Sequence, residues 1–332
     1  LSARRLVPLS LAAATALLVA APVAVAAGPP LPVAQNGNAV SVVGTGVATP
    51  TAFAFGGGRV FVADGPSETP GATSGGVFTL AGGKAKKIPG IPAALGLAYR
   101  SNTLYVSTGP KILAFSRWTG KKFAKSKTIY KNTKTGYPGT NGLAFGPDGR
   151  LYTGISLNQK YDHAQNPFKP SNAVVSLTTS GKSKLKVVAR GLRQPFQLSF
   201  PKGSKAPLVT SLSQDQGTVP PDELVLAKQG TNFGFPTCTW LTPQPSCGPY
   251  DEPQALFPAH SSPMGVAAVG DDTYVALFGG IGKSGPEVVK LGVDANPQPF
   301  LTGFVAPIVG LGVKGDQLYV GSLTGQIFKV AL

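Results

Sequence analysis

Two adjacent carboxylates, Asp222 and Glu223, follow two prolines in the stretch Gly217 to Cys238, GTVPPDELVLAKQGTNFGFPTC, of a chain that carries 30 Lys and Arg against 14 Asp and Glu. Proline lacks an amide donor and fixes φ, so it stiffens the approach and leaves backbone carbonyls beside the acids. Carbonyl oxygens with one or two carboxylates are a donor set that calcium takes. The same residues also suit a plain turn in which the acids cap the strand DELVLA or pair with nearby lysines, and pattern alone leaves both uses open. Asp251 with Glu252, and Asp271 with Asp272, sit in turn-like surroundings and read as solvated. The only two cysteines are Cys238 and Cys247. In an oxidising compartment they are expected to pair and close a small loop. With two histidines, His163 and His260, they are too few for a structural zinc site of ordinary spacing.

Positioning these residues falls to short strands. The chain has 43 glycines and 31 prolines and only 13% charged residues, a composition of many strands and turns. A pattern of two strands joined by a turn recurs: TAFAF then RVFVA, LGLAY then TLYVS, NGLAF then RLYTG, FQLSF then PLVTS, MGVAA then TYVAL, VGLGV then QLYVG. The copies begin at Thr51, Leu95, Asn141, Phe196, Met264 and Val309, at spacings of 44, 46, 55, 68 and 45 residues. Six copies near that period predict an all-β, six-bladed propeller over residues 39–332. A β-sandwich of similar hairpins would show no such period. NAVVSL, DELVLA, EVVKL and QIFKVAL fit as third strands. The chain ends on QIFKVAL, so AVSVVG at 39–44 is expected to supply the missing strand of the last blade and close the ring. The third and fourth intervals carry insertions, SLNQKYDHAQNPFKP and the acidic and cysteine-bearing stretch, and long loops on a rigid ring are where binding and catalysis usually sit.

Residues 1–26 read as a secretory signal peptide: Arg4 and Arg5, a small-residue apolar run, then the A-x-A site AVA at 24–26. The arginine pair leaves export by a twin-arginine route open, no cysteine follows for a lipid anchor, and residues 27–38 read as a linker. Localisation is therefore expected to be secreted or extracytoplasmic, with no transmembrane anchor after processing. Without the two arginines the formal charge falls from +16 to +14. RWTGKKFAKSKTIYKNTK, Arg117 to Lys134, carries seven basic residues and no acid. For a secreted protein this suggests an anionic cell-wall polymer or phospholipid rather than nucleic acid as partner, or simply lysines kept for solubility.

NGLAFGPDGRLY, ARGLRQPF, PPDELVLAKQGTNFGFPTC and PAHSSPMGVAA, in this order, resemble the secreted glucose and sorbosone dehydrogenase family over roughly residues 45–332. PPDEL to FGFPTC is the most specific part. The resemblance implies a six-bladed propeller that uses pyrroloquinoline quinone (PQQ) and calcium to oxidise a carbohydrate, with a histidine taking the substrate hydroxyl proton. It implies cofactor-binding roles for Arg193, whose guanidinium suits a tricarboxylate, and for Gln194, which stands where the family usually has asparagine. Gly217, Asp222 and Glu223 match the calcium-loop region, and His260 matches a histidine near the channel mouth. On this reading Arg193 matters more for cofactor than for folding.

The chain also departs from the family. Pro138, Gly139 and Thr140 stand where a histidine precedes the GLAF strand. ALFGGIGKSGPEVVKL lacks the histidine, tryptophan and arginine of the family, leaving Lys283 as the available charge. A quinoprotein without its base needs His260 or His163 as a substitute. Two functions follow: a quinone-dependent sugar dehydrogenase, or a non-catalytic propeller of the same descent that binds carbohydrate or cell-wall polymer. A lactonase-type hydrolase lacks a clear carboxylate constellation around the axis.

Overall fold

A computed structural model describes residues 30–66, 75–181, 184–215, 219–241, 247–281 and 285–332. The expected signal segment 1–26, Gly217 and Lys283 lie outside the described residues. The fold is an all-β propeller of six antiparallel blades. Blade 1 comprises Pro50–Gly56, Arg59–Asp64, Gly76–Ala81 and Lys84–Lys87, and blade 2 Gly96–Arg100, Thr103–Ser107, Lys111–Trp118 and Phe123–Lys131. Blade 3 comprises Thr140–Phe145, Leu151–Ile155, Ala173–Leu177 and Lys186–Arg190, and blade 4 Gln194–Ser199, Leu208–Leu212, Asp222–Leu226 and Ala255–Phe257. Blade 5 comprises Pro263–Val269, Asp272–Leu277, Glu287–Leu291 and Pro297–Thr302, and blade 6 Ile308–Lys314, Gln317–Ser322 and Gln326–Ala331. Ser41–Thr45 pairs antiparallel with Gln326–Ala331 and completes blade 6, closing the ring as the repeat requires. The stretch read as a linker is partly structured: Val33 and Ala34 pair with Thr302 and Leu301 and cover the outer edge of blade 5.

Strand residues alternate between the two faces of a blade, and each face meets a different neighbour. This is why the second strands read as nearly continuous apolar runs. Phe61 and Ala63 pack on Leu97 and Leu104 between blades 1 and 2, and Ile112 on Leu143 and Leu151 between blades 2 and 3. Val174 packs with Val209 and Val225, and Leu224 with Val266 and Leu277. Val288 with Ile308 and Leu318, then Tyr319 with Phe53 and Val62, complete the circuit.

Aligning the inner strands sets Ala52, Gly96, Gly142, Gln197, Gly265 and Gly310 in one column. Four of these are glycines because the next blade's backbone is too near for a side chain. A Cβ on Gly96 would lie 2.5 Å from Asn141 O, and one on Gly310 2.7 Å from Pro50 O. The exception, Gln197, crosses the axis from blade 4. Its Nε2 donates to Leu95 O at 2.9 Å and to Thr51 O at 3.0 Å, so one amide ties together blades 4, 2 and 1. A Cβ on Gly142 would lie 2.4 Å from Gln197 Oε1. Small residues at five positions and one long amide at the sixth therefore fill the centre of the ring.

Cys238 and Cys247 form the expected disulfide, with Cα atoms 5.0 Å apart. The loop closed is short, so the chain-entropy contribution is on the order of 2 to 3 kcal/mol. Among the described residues no helix is long and apolar enough to cross a membrane.

Candidate functional site

Antiparallel pairing brings the start of each blade's first and third strands and the end of its second to one side of the ring. Arg193 lies there, immediately before the inner strand of blade 4, with its backbone carbonyl accepting from Asn172 Nδ2 at 3.0 Å. Its side chain is 2% exposed. Nε donates to Asp162 Oδ1 at 2.7 Å, and the terminal NH2 group donates both to Asp162 Oδ1 and, at 2.7 Å, to Asp215 Oδ2. The other terminal nitrogen reaches Gln194 Oε1 at 3.3 Å and Leu212 O at 3.5 Å. The guanidinium is thus enclosed by the blade 3 insertion on one side and the blade 4 insertion on the other.

Asp162 ends the short 3-10 turn Gln159–Tyr161. It is itself buried, and its Oδ2 lies 3.0 Å from Nε2 of His163. Two side chains of the cluster face solvent: His163, 51% exposed, and Asp215, 55% exposed. The buried arginine therefore holds the exposed Asp215 carboxylate from behind, and the exposed His163 imidazole lies beside buried Asp162. An exposed carboxylate accepts hydroxyl hydrogens, and an imidazole beside a carboxylate serves as donor, acceptor or base.

Asp222 and Glu223 are the first residues of the third strand of blade 4. Asp222 Oδ1 accepts from Ser213 N at 2.8 Å within the blade, and Oδ2 accepts from Ser262 N at 2.7 Å, just before the inner strand of blade 5. Both oxygens thus hold backbone together. Ser262 needs such a hold, since it and His260 both adopt left-handed backbone, φ 50° and 64°. The His260 side chain is exposed and near enough to Asp222 to favour its charged form. Glu223 pairs across the sheet with Ser211, and its Oε2 is buried without a hydrogen-bond partner.

Burial pushes the Asp222 carboxyl up from its ordinary range, against the pull of the Ser213 and Ser262 amides. Burial, with the neighbouring Asp222 charge second, pushes Glu223 well above its own. A carboxyl whose folded pKa is raised binds its proton more readily in the native state. Its contribution to stability is full below the unfolded pKa and is lost as pH rises through the folded value. Stability should therefore fall as pH rises from the acid side through the raised carboxyl range. Glu223→Gln should flatten that slope, as followed by urea denaturation at a series of pH values. A slope unchanged by the substitution would place the titration elsewhere.

Where the resemblance implies a histidine before the inner strand of blade 3, Thr140 is fully buried. Its amide donates to Gly109 O at 2.8 Å, and its Oγ1 lies 3.0 Å from Gly109 O and 2.7 Å from Ser107 Oγ. A Cβ on the preceding Gly139 would lie 2.9 Å from the Gly109 backbone. Gly139 and Thr140 are packing between blades 2 and 3, with no room for an imidazole at either.

The structure brings Arg193, Gln194, Asp222, His260 and His163 to one rim. Sequence reasoning passed over Asp162 and Asp215 as partners of Arg193, and Gln197 at the axis. No linear spacing connects 162, 193 and 215. Gln197 is visible as the odd residue of its column once the repeats are aligned. Among the described residues no three His, Cys, Asp or Glu side chains converge as a metal-binding group.

No family model matches the chain, and no curated protein matches it. Solved structures do. A carbohydrate-active enzyme of family AA12 from Trichoderma reesei superposes with a TM-score of 0.71 at 18% identity, over 91% of this chain and 98% of that one. A putative oxidoreductase (glucose dehydrogenase) from Thermus thermophilus gives 0.70 at 19%, over 89% and 100%. The PQQ-bound aldose sugar dehydrogenase of Streptomyces coelicolor gives 0.70 at 18%, over 90% and 99%. At this identity the likeness establishes the six-bladed propeller.

Proposed function

We propose that this chain is an extracytoplasmic carbohydrate-binding propeller of the sugar-dehydrogenase architecture, taking a neutral sugar at the rim of blades 3 to 5. The observation that carries the reading is the pairing of Arg193. Its buried guanidinium is matched by Asp162 and Asp215, so the rim offers a carboxylate, an imidazole and the Gln194 amide rather than an open cation. Sugar hydroxyls both donate and accept, and they fit that set. A quinone tricarboxylate would meet Asp215 before it met Arg193. Both Asp222 oxygens are engaged by amides, and Glu223 is buried in the blade. The described residues therefore do not fit a calcium and PQQ receptor.

Asp215→Ala should weaken binding of the preferred neutral aldose by about tenfold, the factor that loss of a hydrogen bond to a charged group brings. Isothermal titration across a panel of aldoses, with uronic acids alongside, reads this directly. The fold should survive, since Asp215 is more than half exposed. Unchanged affinity in Asp215→Ala, or a preference for the acidic sugars, would contradict the reading.

One observation favours a second reading, oxidation of the bound sugar with its hydride passing to a supplied quinone: the exposed His163 imidazole lies 3.0 Å from the Asp162 carboxylate, where it could take the hydroxyl proton. On that reading His163→Ala lowers dye reduction by a far larger factor than it lowers sugar affinity.

A further inference from the structure

Two clefts on the outer perimeter between blades 2 and 3 run into each other. One, about 430 Å³, is lined by Gln165, Lys169, Ser171 and Arg190 over a floor that includes Leu185 and Val187. The other, about 450 Å³, is lined by Tyr130, Lys131, Asn132 and Lys184. They share Lys169, Pro170 and Leu185, so they form one groove carrying four cations, Lys131, Lys169, Lys184 and Arg190. All four are exposed, and among the described residues no ion pair joins any of them to a carboxylate. No acidic residue lines either cleft. The surroundings reinforce the charge: residues 69–147, which include the outer two strands of blade 1 and all of blade 2, contain no Asp or Glu. The one acid of the adjoining insertion, Asp162, is held by Arg193.

We propose that this groove binds a polyol phosphate polymer, a chain of phosphodiesters joined through hydroxylated carbon units. Several like charges set along one groove suit a repeating anion better than a single one. Three of the four cations are lysines, point charges on flexible stems that meet a phosphodiester oxygen from any side without needing a planar, bidentate partner. Asn132 and Gln165 line the same groove and supply amide groups that match free hydroxyls. The apolar floor of Leu185 and Val187 accommodates the carbon units. None of the groove's four cations belongs to the rim cluster, and the proposal stands whether or not the rim takes a sugar.

Poly(glycerol phosphate), free of lipid, is the probe, titrated into the full chain by fluorescence anisotropy at low and physiological salt. Binding should weaken as salt rises. Lys131→Ala, Lys169→Ala and Arg190→Ala combined should weaken it by about tenfold or more, since several modest contacts add, while Lys86→Ala, Lys121→Ala and Lys122→Ala combined should cost less than about threefold. Polygalacturonate should bind more weakly than the phosphate polymer. On the unmodified chain, the polymer should protect Lys131, Lys169 and Lys184 from acetylation more than Lys121 and Lys122. Equal losses in the two triple variants, uniform protection, absence of binding at low salt, or polygalacturonate binding as tightly as the phosphate polymer would each overturn the proposal.

Discussion

Arg193→Ala should destabilise the native chain by about 3 to 5 kcal/mol, the cost of leaving a buried charge without its partner. Asp162, itself buried, would lose the guanidinium that bonds it from within the fold. The rim would also come apart physically, because Arg193 joins the blade 3 insertion to the blade 4 insertion through Asp162 and Asp215. Asp162→Asn in the same chain should restore part of the loss, and a double-mutant cycle isolates the coupling. Arg193→Lys should fall between, since an ammonium cannot reproduce contacts made from Nε and both terminal nitrogens. Urea denaturation gives each value. An alanine variant within about 0.5 kcal/mol of the parent, the range of an ordinary surface change, would show that the pair contributes nothing to the frame.

Gln197→Ala should cost about 2 to 4 kcal/mol, combining a void at the axis with two stranded carbonyls. Thr51 O and Leu95 O both face the axis and take their side-chain donor from this amide. Gln197→Leu should recover the volume but not the donors. Gln197→Glu should be at least as damaging as alanine, because a carboxylate cannot donate to carbonyls and its charge would be buried. Gly142→Ala should be destabilising from the other side, since the added methyl meets Gln197 Oε1. Melting and urea curves of the four variants separate these contributions. A Gln197→Ala chain as stable as the parent would mean the centre of the ring is held by the inner-strand backbones alone.

The propeller was legible because its signal is periodic: six copies of strand, turn and strand, three of the five spacings lying between 44 and 46 residues, with AVSVVG available to join QIFKVAL in the last blade. Val33 and Ala34 were not legible as a strand, because a two-residue edge has no period and follows from the open edge of blade 5 alone. Arg193 stood out by its place before an inner strand, but its role depends on Asp162 and Asp215, which lie 31 and 22 residues away and arrive through two separate insertions. From its prolines and second acid alone, Asp222 reads equally as a calcium ligand or as a residue that caps its strand. The three-dimensional neighbours that occupy its oxygens, the amides of Ser213 and Ser262, are invisible in sequence, because backbone donors leave no residue-type signature.

The rim reading is tested most directly by supplying the cofactors of the resembled family to the purified chain. Calcium and PQQ are added, the mixture is desalted, and absorbance is followed together with sugar-dependent reduction of an electron-accepting dye. The same sample is titrated with the neutral sugar that binds. A sugar-binding rim closed to the quinone predicts that no PQQ absorbance is retained and no dye is reduced, while sugar affinity is the same with and without the cofactors. Retained quinone with sugar-dependent dye reduction would contradict it and make the chain a working dehydrogenase.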